Sequence, residues 1–256
     1  MIDLMMKFLA AGLTDIGKRR QRNEDNLLLL PEYGVVAVAD GMGGHHGGAE
    51  ASQAVIEALR DHFSDKHPRS IESVERALML ANGRVLAEGK ATGMRNMGST
   101  AVVLCATYSD GKPSVIVGHL GDSRCYRIRV ASTHLGPKGR ITPLTEDHSL
   151  IVQVAKMHGK TVQQMAAEGY PSNTILEACG LRADCQPTVR QFSVKRDDVF
   201  VLCSDGLHGE IDDAAIAEIV ALSDGAGLPR VAKKLVQAAL DAGGRDNVTV
   251  VVCKIV

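Results

Sequence analysis

The run Val35-Val36-Ala37-Val38-Ala39-Asp40-Gly41-Met42-Gly43-Gly44-His45-His46-Gly47-Gly48 is the stretch around which the chain is organised. The apolar part reads as a buried strand, and that strand ends in a carboxylate. The glycines after Asp40 leave a bare backbone that can approach a hydrated cation or a phosphate where a Cβ would block it. Alone, an Asp-Gly at a strand end is most often a turn.

Two further places shift the balance. Val199-Phe200-Val201-Leu202-Cys203 leads into Ser204-Asp205-Gly206, and Gly243-Gly244-Arg245-Asp246-Asn247 leads into Val248-Thr249-Val250-Val251-Val252. Three carboxylates therefore stand at strand ends. If those ends converge, the charges repel, and protonation or a bound cation is the remedy. Oxygen ligands select magnesium or manganese. Zinc is disfavoured, because the six cysteines form no Cys-x-x-Cys and His45 and His46 are adjacent.

The length of 256 residues and a hydrophobic content of 45% suffice for one large domain with a sizeable core. With 29 basic against 30 acidic residues the formal net charge is −1. No global field draws the protein to nucleic acid or an anionic membrane, so any phosphate-binding charge must be local. Cys105, Cys125, Cys203 and Cys253 lie in or beside apolar runs, as core thiols do, and no disulfide framework is indicated. Met1 to Ala11 is interrupted by Asp3 and Lys7 and does not read as a signal peptide. No apolar run reaches the roughly 18–20 residues that cross a bilayer. A cytoplasmic location is expected.

Along the chain, a strand is expected from Phe8 to Ile16, then a basic connection, Gly17-Lys18-Arg19-Arg20-Gln21-Arg22, leads to Asn23-Glu24-Asp25 and a strand over Leu27 to Leu30. Those cations are either a solvated face or a phosphate contact, and position alone leaves both open. Helical spacing runs from Gly48 to Phe63, with Ala51, Ala54, Val55, Ala58 and Leu59 on one stripe, and again from Ile71 to Leu86. Strands follow at Thr100 to Cys105, Ser114 to Gly118 and Cys125 to Arg129, joined through Asp110-Gly111 and Gly121-Asp122-Ser123-Arg124. Such short joints imply antiparallel neighbours. The segment Ala155 to Ser172 reads as a mobile surface flap of short helical pieces. Strands at Thr188 to Val194 and Val199 to Cys203, helices near Ala214 to Leu222 and Leu228 to Ala242, and a final strand to Val256 complete an α+β pattern.

Seven motifs in order then carry a resemblance. They are Thr14-Asp15-x-Gly17-x-x-Arg20-x-x-Asn23-Glu24-Asp25, Asp40-Gly41-Met42-Gly43-Gly44-His45, Gly98-Ser99-Thr100, Gly121-Asp122-Ser123-Arg124, Leu144-Thr145-x-Asp147-His148-Ser149, Cys203-Ser204-Asp205-Gly206-Leu207 and Gly244-x-Asp246-Asn247-Val248-Thr249. Over nearly its whole length the chain resembles the metal-dependent protein phosphatases of type 2C, in their bacterial serine/threonine branch. The resemblance implies a single domain over residues 1–256, a four-layer αββα sandwich of two antiparallel sheets packed face to face with helices outside. It also implies two Mn2+ or Mg2+ ions per chain, with room for a third as in bacterial relatives.

By similarity Asp40 bridges the two ions, the Gly41 carbonyl joins one, and Asp205 with Asp246 completes the other. Asp122 would share the third with Asp205; otherwise it is a residue of a Gly121–Ser123 hairpin turn. Glu24 and Asp25 would hold metal-bound waters, and Arg20 would clamp phosphate. The implied reaction is attack of the bridging water on a phosphoserine or phosphothreonine, with no covalent enzyme intermediate. A monomer acting on phosphorylated proteins, opposing a bacterial serine/threonine kinase and its targets, is the expected setting.

The chain also departs from the family pattern. Met42 stands where many eukaryotic members carry a histidine as general acid, which leaves His45 as the nearest candidate donor. Ala49 replaces a frequent glutamate, and Ser172-Asn173 stands where an arginine before asparagine is common. His119, His148, His158 and His208 read as structural or solvent-facing. The competing reading is a non-catalytic phosphoprotein-binding module on the same fold, which would be expected to lose metal carboxylates. A nucleotide switch is disfavoured, since no Gly-x-x-x-x-Gly-Lys-Ser/Thr run exists.

Overall fold

An uninterrupted apolar strand has to be covered on both faces, and that requirement sets the number of layers. The computed structural model describes residues 8–43, 47–64, 69–94, 96–133, 136–223 and 225–255. In chain order it forms β1 (Phe8–Asp15), β2 (Asp25–Leu30), β3 (Val35–Met42), α1 (Gly47–Ser64), α2 (Ile71–Thr92), β4 (Gly98–Ser99), β5 (Ala101–Ser109) and β6 (Lys112–Leu120). There follow β7 (Arg124–Thr133), β8 (Gly136–Pro143), α3 (Leu150–His158), α4 (Val162–Ala167), β9 (Thr188–Ser193) and β10 (Val199–Cys203). The last elements are α5 (Asp205–His208), α6 (Asp213–Leu222), α7 (Leu228–Ala242) and β11 (Val248–Ile255).

The strands form two antiparallel sheets, one in the order β1-β11-β10-β7-β8 and the other β2-β3-β5-β6-β9 with β4 on β3. Alternation along each strand then builds three apolar layers. Val36 and Val38 of β3, Phe200 and Leu202 of β10 and Val251 and Cys253 of β11 meet between the sheets. Val35, Ala37 and Ala39 face Ala51, Val55, Leu59 and Leu78 of α1 and α2. Val201, Cys203, Val250 and Val252 face Ile216, Val220, Leu235 and Val236 of α6 and α7. The four-layer αββα sandwich follows, with the expected stripe of α1 wholly buried.

The short joints behave in two different ways. Asp110 and Gly111, both at positive φ, close a β5–β6 hairpin as expected. The Gly121-Asp122-Ser123 joint does not: β6 pairs with β5 and β9, whereas β7 pairs with β10 and β8. The chain crosses here from one sheet to the other, so the reading of Asp122 as a hairpin turn residue is corrected. Gly121 makes the crossing possible, at φ +103° and against Thr100, whose side chain lies 2.7 Å from where a Cβ would sit. The joint therefore delivers Asp122 between the layers rather than to an outer edge.

Strand β8 was not signalled by the sequence, because Gly136-Pro137-Lys138-Gly139-Arg140 has no apolar alternation; it is an edge strand whose one strand neighbour is β7, with α6 packed against its face through Ala217 and Gly139. The segment expected as a flap contains the end of α3 and all of α4, joined by a small core of Ile151, Ala155 and Met165.

Two glycines should respond oppositely to alanine. A Cβ on Gly206 would lie 1.9 Å from the Asn247 carbonyl oxygen, so Gly206→Ala should destabilise the protein by on the order of 2–3 kcal/mol. Gly83 sits inside α2 with nothing within 4 Å of an added Cβ, and Gly83→Ala should stabilise by about 0.5–1 kcal/mol. Urea unfolding of the two variants beside the parent measures both.

Candidate active site

Antiparallel order brings alternate strand ends to the same edge of the sandwich. β2 begins at Asp25 directly across from Asp40, near the end of β3. β10 ends one residue before Ser204-Asp205, and β11 starts just after Asp246-Asn247. The crossover between β6 and β7 adds Asp122. These ends surround an open cleft of about 600 Å³ whose wall includes Arg20, Glu24, Asp40, Gly41, Asp122, Asp205 and Asp246. Seven of the nine residues expected at the site are thus brought together.

Of the other two, Asp25 is placed differently and His45 is not among the described residues. Asp25 lies behind the wall, buried, where it accepts a hydrogen bond from Ser204 Oγ at 2.7 Å while the Thr249 N–H donates to that same oxygen. Gly44 and His46, on either side of His45, lie outside the described residues as well. Met42 lines the cleft and can donate no proton. Three of the remaining histidines serve structure. His119 Nε2 meets the Glu146 carbonyl at 2.8 Å, His148 stacks on His119, and His208 Nε2 meets the Asp122 carbonyl at 3.1 Å.

Burial and mutual repulsion dominate the electrostatics. Burial, then the charges of Asp25, Asp205, Asp122 and Asp246, hold the Asp40 carboxyl well above its ordinary range. Burial and then Asp205 push Asp122 up to about 7, and burial and then Asp246 raise Asp205. Burial also lifts Asp25 to about 7 against the hydrogen bonds of Ser204 and Thr249. Such a cluster is relieved by cations, and its donors are oxygens: no histidine or cysteine is on the cleft wall among the described residues. Nor, among those residues, do three or more acidic, histidine or cysteine side chains close on a single point. An ion here would keep several waters, which suits magnesium or manganese better than a fully caged metal. The residues present fit such ions.

Arg20 projects from the loop before β2, and its Nη2 lies 2.6 Å from Asp246 Oδ2. Three residues to which the sequence alone assigns no role of their own at the site hold this arrangement. Asn247 donates from Nδ2 to the carbonyls of Ile16 and Arg22, both at 2.9 Å, and its Oδ1 accepts the Glu24 N–H at 2.9 Å. One buried amide thereby fastens both ends of the Arg20 loop. Gly17 lets that loop press close, since a Cβ there would lie 2.1 Å from the Asp246 carbonyl oxygen. Thr100 Oγ1 accepts the Asp40 N–H at 3.0 Å and lies 2.6 Å from Ser123 Oγ, tying the Asp40 strand to the crossover. The available signal was chemical: a polar side chain beside an apolar run needs a buried partner. Ile175, from the segment after α4, adds an apolar wall.

Comparison with known proteins agrees with this geometry. The family model described as protein phosphatase 2C matches residues 17–241. The serine/threonine protein phosphatase PstP of Mycobacterium tuberculosis is 31% identical over 258 residues, covering all of this chain and 46% of that protein, so the chain spans about half that relative's length. Protein phosphatase PhpP of Streptococcus pneumoniae is 30% identical over 246 residues, covering 93% of this chain and 94% of that protein. Among solved structures, the catalytic domain of the serine/threonine protein phosphatase PstP in complex with two manganese ions superposes with a TM-score of 0.81 at 29% identity, covering 97% of this chain and 98% of that one. With its motifs, its four layers and its acidic cleft all in agreement, the chain belongs to the protein phosphatase 2C family.

Proposed function

We propose that the chain is a metal-dependent phosphatase that hydrolyses phosphoserine and phosphothreonine in proteins. The observation that carries this reading is the convergence of Asp40, Asp122, Asp205 and Asp246 on one cleft with the Arg20 guanidinium at its wall. In this reading Asp40, the Gly41 carbonyl, Asp205 and Asp246 would together hold two ions at the cleft wall. Asp122 with Asp205 offers a third position, and Glu24 and Asp25 order water from the wall and from behind it.

Two Mn2+ or Mg2+ ions held there supply charge that screens a phosphate dianion and water acidic enough to act as a nucleophile. The chain's own groups orient the substrate. Arg20 offers a planar pair of N–H donors that matches two non-bridging phosphate oxygens, and Asn247 fixes the loop from which it reaches. Open on one side, the cleft admits a side chain carried on a protein surface. Met42 cannot protonate the leaving group, so His45 is the nearest candidate donor in the chain and water carried by the ions is the alternative.

The biological setting is part of the same proposal: a monomer in the cytoplasm that opposes a serine/threonine kinase, with the segment over residues 155–172 as a movable flap. Six free, buried cysteines support a reducing compartment. No helix among the described residues is long and apolar enough to cross a membrane. A binding module without catalysis is not favoured by any observation, since the carboxylates and Arg20 are all present.

Asp205→Asn and Asp246→Asn should each lower turnover of a phosphothreonine peptide by roughly 10²-fold or more with an unchanged circular dichroism spectrum. Removing divalent metal should do the same; full activity in metal-stripped protein would show the assignment to be wrong. Arg20→Ala should raise KM and lower kcat together, with Arg20→Lys restoring only part of the loss. Unchanged kinetics would move the clamp to Arg19 or Arg22.

His45→Ala should slow a phosphoserine or phosphothreonine peptide by roughly 10²-fold, because an alkoxide leaves poorly without a proton. Hydrolysis of p-nitrophenyl phosphate, whose phenolate leaves readily, should fall much less. Equal losses on both substrates would reassign His45 to loop structure or phosphate positioning.

A further inference from the structure

Asp246 uses both of its carboxylate oxygens. Oδ1 accepts the backbone N–H of Asn247 at 2.8 Å, and Oδ2 holds Arg20 Nη2 at 2.6 Å. The second contact is short even for a charge-assisted hydrogen bond. It also lies where the proposed function needs a metal ligand. A guanidinium and a divalent cation on one carboxylate oxygen repel each other, so that oxygen accommodates one of them at a time.

The loop geometry makes a change of partner a local event. The base of the Arg20 loop is clamped by the Lys18 N–H on the Gly244 carbonyl at 2.7 Å and by the Asn247 amide on Ile16 and Arg22. The Arg20 side chain itself is half exposed and borders open cleft. Its guanidinium can thus swing about a fixed backbone from the cleft wall into the space where a phosphate would sit.

We propose that Arg20 and a divalent ion exchange at Asp246 Oδ2. With the ion out, the guanidinium neutralises the carboxylate; with the ion in, the guanidinium is displaced and becomes available to substrate phosphate. This rests on the phosphatase reading of the cleft. Arg20 therefore has two tasks, as a phosphate clamp and as an internal competitor for the metal. Linkage makes the relation reciprocal: an anion that draws Arg20 off Asp246 tightens ion binding by the factor with which the ion favours that anion.

The test is calorimetric titration of Mn2+ into metal-stripped wild type, Arg20→Gln and Arg22→Gln, without any phosphate compound. Arg22 also borders the cleft and controls for the general loss of a positive charge. Arg20→Gln should bind Mn2+ roughly tenfold more tightly at one site, and Arg22→Gln should differ from wild type by less than about threefold, as a screened charge does. Unchanged or weaker binding in Arg20→Gln, or equal tightening in both variants, overturns the exchange while leaving the phosphatase reading intact. No Mn2+ binding to the wild type overturns that reading and the exchange with it.

Discussion

Repulsion among carboxylates is the constraint around which this molecule is built. Asp25 and Asp40 face each other across adjacent strands, an arrangement that destabilises a sheet, and Asp122, Asp205 and Asp246 close in from other strands. The three apolar layers hold the strand ends in place against this repulsion. Because β3, β10 and β11 are covered on both faces, their ends cannot splay without exposing valine, leucine and phenylalanine side chains that are fully buried. The charge stress is thereby stored at the open edge, where cations can relieve it.

Much of this was legible in the sequence, for a physical reason. A strand buried on both faces must be apolar throughout, so Val35 to Ala39 and Val199 to Cys203 were visible without alternation. The carboxylates ending such runs stood out for the same reason. The helical stripe of α1 and the extent of α7 were equally readable from their spacing.

What escaped the reading depends on tertiary contact. A turn of three residues looks alike whether it closes a hairpin or crosses between sheets; only the pairing of β6 and β7 with different partners separates the two cases. Strand β8 owes its existence to the β7 edge rather than to its own residues. Thr100 and Asn247 act through hydrogen bonds to residues distant in sequence, and Asp25 draws its buried place from Ser204. Local pattern carries none of that information.

The position of β11 between β1 and β10 has a consequence for the order in which the molecule is made. Phe8 pairs opposite Ile255, so the first described strand waits for the last before it has any neighbour in its sheet. Asp246 and Asn247 arrive immediately ahead of that strand. A nascent chain can gather β2, β3, β5 and β6 under α1 and α2 while synthesis continues, yet it has neither a complete cleft nor a fastened Arg20 loop until β11 emerges. Half-made chains are therefore unable to assemble the site, and the cluster of negative charge comes together only when the sandwich that restrains it is complete.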